Sequence, residues 1–369
     1  MTTPRTSIDA LKRDCRWFRG DVPCKPHKET GCHCTGADDR ACTHYALQQG
    51  NILIIKLGAI GDVIRTTPLL RRLRETYPQH RFWWLTLTPE VVPGDVDVIL
   101  PFTPQSLLSL QALQFDLLIN LDKDREACAL TALLAATRKQ GFTLRDGKPY
   151  PIDSAAEAKY ITGVFDDLSK ANTRSYPEEL FEIAGFDFRG EEYILDNGSR
   201  EGYLWKLPRT KPIVGLNTGC GGRWVSRLWP ESNWVALARR LKKAGTVPLL
   251  LGGEQEHVIN RRIAERSGAR YPGHFPLRQF IHLVDQCHLV VTAVTMAMHI
   301  AIGLRKPLVL FNNTFNRHEF ELYGRGEILE PEFDCSCYYS PVCPNNCMQY
   351  LSVEKVFAAC QRLLMPSRK

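Results

Sequence analysis

Asp62 closes the turn Gly58-Ala-Ile-Gly61-Asp62, directly after the apolar run Ile52-Leu-Ile-Ile-Lys-Leu57. A β-branched apolar run ending in two glycines reads as a buried parallel strand handing over to a helix. A carboxylate at such a mouth, where open α/β sheets bind ligands, is placed to take up a proton. The spacing is Gly-x-x-Gly-Asp, so a dinucleotide fingerprint is the weaker reading. A plainer role for Asp62 is an N-cap. Thiols form the second constellation. Cys15, Cys24, Cys32, Cys34 and Cys42 share residues 1–46 with His27, His33 and His44, and Cys335-x-Cys337-x5-Cys343-x3-Cys347 lies in the tail. Soft thiolates at these spacings suit a structural zinc or iron ion, without matching a standard zinc finger. The expected ligands are Cys15, Cys24, Cys34, Cys42, Cys335, Cys337, Cys343 and Cys347; reduced, unliganded thiols are the alternative.

The elements that must position these groups follow from patterning. Strands are expected at Ile52–Lys56, Phe82–Thr86, Val96–Leu100 and Phe115–Asn120, with one helix from Asp62 to Tyr77, closed by Pro78. A turn-rich passage over 196–212 reads as a linker. Beyond it, strands at Ile213–Asn217, Val247–Leu251, Leu289–Thr292 and Leu308–Phe311 alternate with helices at Glu231–Ala244, Glu256–Ser267 and Met298–Gly303, and a last helix covers Ser352–Leu364. At 369 residues, more than one core is expected. The alternation predicts an α/β fold of two doubly wound, Rossmann-like domains facing a cleft. Residues 47–205 and 210–334 form them, flanked by a Cys-rich extension (1–46) and a Cys-rich tail (335–369).

The composition, 44% hydrophobic and 24% charged, is that of an ordinary globular protein. A net charge of +7 suits a phosphate-bearing ligand or an anionic membrane surface without requiring either. No apolar run is long enough to span a bilayer and no secretory signal is evident. A cytoplasmic location is expected, where thiols are not naturally read as disulfides. Asp122-Lys123-Asp124 mimics a metal-binding Asp-x-Asp but reads as a polar loop near the cleft. Arg65, Arg71, Arg72, Arg74 and Arg81 read as either a solvated face or a surface for an acidic acceptor.

Three blocks resemble glycosyltransferase family 9, the ADP-heptose:lipopolysaccharide heptosyltransferases. They are Lys56-Leu-Gly-Ala-Ile-Gly-Asp62-Val, Asn217-Thr218-Gly219 with Arg227-Leu-Trp229-Pro230-x-x-x-Trp234, and Thr295-x-x-x-His299-Ile-Ala. The resemblance implies a GT-B fold, with acceptor in the N-terminal domain, nucleotide sugar in the C-terminal one, and a terminal helix crossing back. It implies inverting transfer of a heptose from ADP-heptose to a lipopolysaccharide core or other glycan. Asp62 would be the base and Arg227 the clamp on the departing diphosphate, with Thr218, Gly219, Glu254, Thr295 and His299 around the donor. Arg227 as a solvated loop arginine and His299 as a satisfied helix histidine are the plainer alternatives; for Glu254 the register is open to Gln255 and Glu256. Val294 and Met296 stand where the family's Asp-Thr-Gly-x-x-His element has acid and glycine. That departure leaves open another nucleotide sugar, a protein acceptor, or a thiolate-metal redox or regulatory protein on the same scaffold. One branch of the family, acting on autotransporter adhesins, binds iron through four cysteines and is oligomeric. If the last helix returns to the first domain, the two cysteine clusters lie close together. No cofactor is expected for the chemistry. Expected partners are the donor, the glycan acceptor and the inner membrane surface, and no nucleic acid.

Overall fold

The computed structural model describes residues 8–35, 42–208 and 210–365. Parts of the N-terminal extension and linker read above lie outside them. Two sheets organise the chain. The first contains β1 (Gly50–Ile55), β2 (His80–Thr86), β3 (Val98–Pro101), β4 (Gln114–Asn120), β5 (Ala135–Arg145) and β6 (Lys148–Pro151), in the order β3-β2-β1-β4-β5-β6. All pairings are parallel except β5 with β6. Ile52 to Ile55 are wholly buried, as a central parallel strand covered on both faces demands.

The second sheet contains β7 (Ile213–Asn217), β8 (Val247–Leu251), β9 (Leu289–Ala293), β10 (Leu308–Phe311) and β11 (Gly326–Leu329), ordered β11-β10-β9-β7-β8 and wholly parallel. Each order reverses once, between β1 and β4 in the first sheet and between β7 and β9 in the second. In doubly wound sheets the carboxyl ends of such strands open a crevice. Asp62 follows β1, Asp122 follows β4, Thr218 follows β7 and Thr295 follows β9. The residues of interest therefore cluster at both switch points.

The two halves meet through the helices that leave these points. Ile60–Ile64 packs on Met296–Gly303, and Gly61 makes the approach possible. A Cβ at Gly61 would lie 2.4 Å from His299 Cδ2. His299 is itself buried, so the ring has little room to yield. Gly61→Ala is expected to destabilise the protein by roughly 1–3 kcal/mol, read as a lower thermal midpoint.

Two expectations are corrected. The single helix over 62–77 is broken into Ile60–Ile64 and Leu69–Thr76. Pro68 lacks the N–H needed to continue the ladder, and the Thr67 hydroxyl donates to the Ile64 carbonyl at 2.7 Å while accepting the Ile194 N–H at 2.8 Å. The last helix, Val353–Leu364, does not cross back: its packing is on Glu231–Lys243 and on β9, β10 and β11. Val356, Ala359 and Cys360 complete the core of the second sheet. The N-terminal extension instead lies against the first half, tied by a bidentate Arg16–Asp97 ion pair at 2.6 and 2.7 Å and a Cys15–Leu47 bridge.

Candidate active site

The turn after β1 is shaped by a residue whose importance the sequence reading missed. Asp122 is 5% exposed. It accepts the N–H groups of Leu57 and Gly58 and pairs with the buried Lys56 ammonium. It lies in the polar loop after β4, at the cleft as expected, and also braces the Gly58–Gly61 turn. Its parallel neighbour relation, β1 beside β4, puts it there. Burial alone would drive the proton off Lys56, yet Tyr176, Asp122 and Asp62 hold it charged and push its pKa upward.

Asp62 lies in the first turn of Ile60–Ile64. The N-cap position falls to Ala59 rather than to Asp62, whose carboxylate bonds to the Ala59 backbone from within the first turn. Its carboxylate meets Arg65 Nη2 at 2.7 Å, with the Asp62 side chain 32% exposed. Burial raises its pKa, but Arg65, then Lys56, then His299 outweigh that and bring it to about 2. The Arg65 guanidinium also lies 3.3 Å from the centroid of the Tyr176 ring and 4.0 Å from Glu319, a residue of the second half. Asp62, Arg65, Lys56 and Tyr176 line a cavity of about 280 Å³, which Glu319 and Tyr339 close from the other side. An ionised carboxylate thus faces a crevice between the two halves.

That cavity carries both signs of charge, with Asp62, Asp122, Asp166 and Glu319 among its lining residues. Lys56, Arg65, Lys123 and Lys159 all line it. Lys159 is paired with Glu179 at 2.6 Å. Lys123 has no carboxylate within ion-pair distance among the described residues. Burial, then Lys159, lowers its pKa to about 8. The remaining basic residues of the first helical region turn elsewhere. Arg72 pairs with Glu75 and Glu191 and Arg74 with Asp95, Arg71 donates to the Glu192 carbonyl, and Arg81 lies over Trp83.

At the second switch point Arg227 is 7% exposed, not a solvated loop arginine. It donates to the backbone carbonyls of Val294 and Cys220 and lies beside the packed pair of rings Trp224 and Phe315, 5.1 and 5.3 Å from their centroids. No carboxylate pairs with it among the described residues. Burial lowers its pKa to about 10, so it remains charged at neutral pH. Buried cations without a counterion are rare and costly.

Its surroundings are hydrogen-bonded in detail. Thr218 donates its hydroxyl to Asn260 at 2.6 Å. Asn217 ties Gly219, Thr292 and Thr295 together. Thr295 caps the Met296–Gly303 helix by accepting from the Ala297 N–H. Glu254 is exposed; Glu256, two residues on, is the acid that reaches the turn. Its carboxylate would meet a Cβ at Gly219 at 2.1 Å and accepts the Gly253 N–H at 2.9 Å. His299 faces the first half, against Gly61 and stacked on Tyr193 at 6.3 Å. Burial, then Arg65, lowers its pKa to about 3, so it is neutral, and its Nδ1 has no partner among the described residues.

The tail thiols converge. The sulfurs of Cys335, Cys337, Cys343 and Cys347 all lie within 4.8 Å of one another. Cys335 and Cys343 are 3.4 Å apart and Cys337 and Cys347 3.6 Å. A tetrahedral ion with metal–sulfur bonds near 2.3 Å needs sulfurs about 3.8 Å apart. Asn313 donates to Cys347 at 3.2 Å, and the Cys347 N–H points at Cys343 at 3.5 Å, which favours thiolate. The donor set fits such an ion. The N-terminal thiols do not gather in this way: among the described residues, Cys15, Cys24, Cys34 and Cys42 make no comparable set. Cys42 instead approaches Cys32 at 3.1 Å.

Two doubly wound sheets that meet across a crevice, each presenting charged side chains at its switch point, form the GT-B architecture of sugar transferases. The chain belongs to glycosyltransferase family 9 (heptosyltransferase), whose sequence model matches residues 107–326, more than half its length. It is 24% identical over 322 residues to lipopolysaccharide heptosyltransferase 1 of Pseudomonas aeruginosa, covering 79% of this chain and 88% of that one. Its fold superimposes on Escherichia coli ADP-heptose lipopolysaccharide heptosyltransferase II with a TM-score of 0.62 at 18% identity, over 85% of this chain and 98% of that one. It also resembles the iron-containing dodecameric glycosyltransferase TibC from enterotoxigenic E. coli, with a TM-score of 0.52 at 13% identity, over 86% and 77% of the two chains. The protein is a glycosyltransferase. No helix among the described residues is long and apolar enough to cross a membrane.

Proposed function

We propose that the protein transfers a heptose from ADP-heptose to an anionic glycan of the lipopolysaccharide-core type, with inversion, at the cytoplasmic face of the inner membrane. The observation that carries this reading is the pairing of an ionised carboxylate, Asp62, lining an interdomain cavity with a buried cation, Arg227, that has no carboxylate partner among the described residues. Asp62 takes the acceptor hydroxyl proton as the anomeric carbon becomes oxocarbenium-like. Arg227, the Thr218–Gly219 turn and the helix start at Thr295 receive the diphosphate as its negative charge grows. Glu256 replaces Glu254 as the acid nearest the donor turn. Lys123 and Lys159 make the acceptor side hospitable to phosphate or carboxylate groups. The heptose and lipopolysaccharide assignments draw on the names of the relatives.

The four tail thiols hold a zinc or iron ion in this reading. Such an ion supplies a cross-link between loops, and no step of the transfer runs through it.

Incubating the protein with ADP-heptose and lipopolysaccharide-core fragments is expected to release ADP and to add one heptose to the fragment by mass. ADP release with a different nucleotide sugar alone, or mass gain on a protein acceptor alone, would replace the substrate assignment. No sugar transfer from any donor would overturn the reading.

A further inference from the structure

Between the second and third thiols of the tail, residues 338–342 reach both sides of the crevice. Tyr338 donates its hydroxyl to Ser169, in the first half, at 2.8 Å. Tyr339 donates to Glu319 at 3.2 Å, and Glu319 is the second anion beside Arg65. The carbonyls of Pro341 and Ser340 accept the N–H and hydroxyl of Ser226 at 3.0 and 2.8 Å, and Ser226 immediately precedes Arg227. The Tyr339 ring lies 5.1 Å from Phe315 and 6.3 Å from Trp224, the two rings beside the Arg227 guanidinium. One short loop therefore touches both the Asp62–Arg65–Glu319 chain and the arginine of the second half.

The loop's conformation is not one it would hold alone. Tyr339 has φ +48°, a left-handed backbone that a bulky side chain rarely adopts unless its surroundings impose it. Those surroundings are the thiols at both its ends, Cys337 and Cys343, and the Tyr339 N–H bond to Thr314 at 2.8 Å. Asn313 completes a second route. Its side-chain amide donates to the Ser226 carbonyl at 2.8 Å and to Cys347 Sγ at 3.2 Å.

We propose that Tyr339 is a positioning residue for the transfer, setting Glu319 and through it the Arg65–Asp62 pair, and that the four tail thiols hold it and the Arg227 turn in place when joined by a metal ion. The inference rests on the reading of Asp62 and Arg227 given above. It assigns the thiol cluster a task in the reaction centre without giving it any chemistry there.

The full-length protein, with its zinc and iron content measured, tests this in two arms. Tyr339→Phe keeps the ring against Phe315 and removes only the hydroxyl. It is expected to lower kcat about tenfold with donor KM and ADP affinity held within twofold. Cys343→Ser is expected to lose the metal and weaken ADP binding about tenfold. It should also raise deuterium uptake in 224–228 and 338–342 while β7 and β8 stay protected. If Cys343→Ser does not fold, stripping the metal from the wild-type chain with a chelator gives the same exchange readout, and re-adding the ion should restore protection. A Tyr339→Phe enzyme with unchanged kcat overturns the positioning role. Metal loss without change in uptake at 224–228 and 338–342 overturns the role of the thiols. Wild-type protein that binds ADP but transfers no sugar sinks the functional reading instead, and the exchange arm still decides whether the thiols hold the loop.

Discussion

Asp62→Asn is expected to reduce kcat by about a thousandfold, while the dissociation constant for ADP moves less than twofold. The substitution keeps the side chain's shape and removes its capacity to accept a proton. The fold should tolerate it, because Arg65 retains the Tyr176 face and Glu319. The donor side should not register it, because the Asp62 carboxylate pairs with Arg65 in the acceptor cavity. Single-turnover product formation and calorimetric ADP titration give the two numbers. Retention of kcat within tenfold would remove Asp62 from the role of base. The pH dependence has a sign as well. With a pKa of about 2, Asp62 is ionised wherever the protein is folded and contributes no acid limb to kcat above pH 4. Its stabilising charge is fully present above the unfolded carboxylate value and is lost only as pH falls through about 2. His299 behaves differently: held neutral with a pKa of about 3, it costs stability as pH drops below the unfolded value of about 6.5. Acid sensitivity between those limits is therefore expected to ease in a His299→Phe variant, which keeps an aromatic ring stacked on Tyr193, and not in Asp62→Asn.

How much of this was legible in the sequence depended on whether the signal was local. The β1 strand and its turn were, because an unbroken β-branched run and two glycines carry their structure in their own chemistry. The reason for Gly61 was not: it lies in a histidine 238 positions away in the chain, brought close only when the two halves pack. Asp122 was legible as part of a polar loop near the cleft, but its bracing role was not, since that emerges only when the neighbouring strand's amides are placed against the carboxylate. The strand at Ala135–Arg145 escaped notice because its burial is partial and its sequence polar, with no apolar run to mark it. The helix Leu277–Asp285 was overlooked although its apolar face is clear in retrospect from Phe280, Ile281 and Val284. Pro68 was a readable signal that the helical periodicity around it obscured. The tail thiols were legible as a set because four cysteines within thirteen residues can meet without help from the fold. The N-terminal thiols are more widely spaced, and they do not come to one point among the described residues. Their segment has few aliphatic residues and leans on the first half through Arg16 and Cys15.

Arg227→Met carries the second large expectation, and its value lies in two effects of opposite sign. An arginine retained for structure loses stability when truncated. An arginine retained for an absent anion does not, because its burial is uncompensated in the free protein. The lowering of its pKa to about 10 from the usual 12.5 corresponds to roughly 3 kcal/mol of burial cost by the ordinary conversion. Against that stand its bonds to the Val294 and Cys220 carbonyls, each contributing about 1 kcal/mol net. A methionine packs against Trp224 and Phe315 without carrying charge, so the thermal midpoint is expected to hold or rise by a few degrees. ADP affinity is expected to fall about a hundredfold, the usual order when a buried ionic contact is removed. Val294 sharpens the contrast, for at the position where the family pattern carries an acid this chain offers Arg227 only a carbonyl oxygen. The whole guanidinium charge is then available to the ligand. Arg227→Lys, which keeps the charge and loses the planar fork, should recover only part of the affinity. Scanning calorimetry and ADP titration on the same preparations decide the matter: a midpoint several degrees lower with ADP binding intact would make Arg227 a structural residue and leave the diphosphate without its clamp.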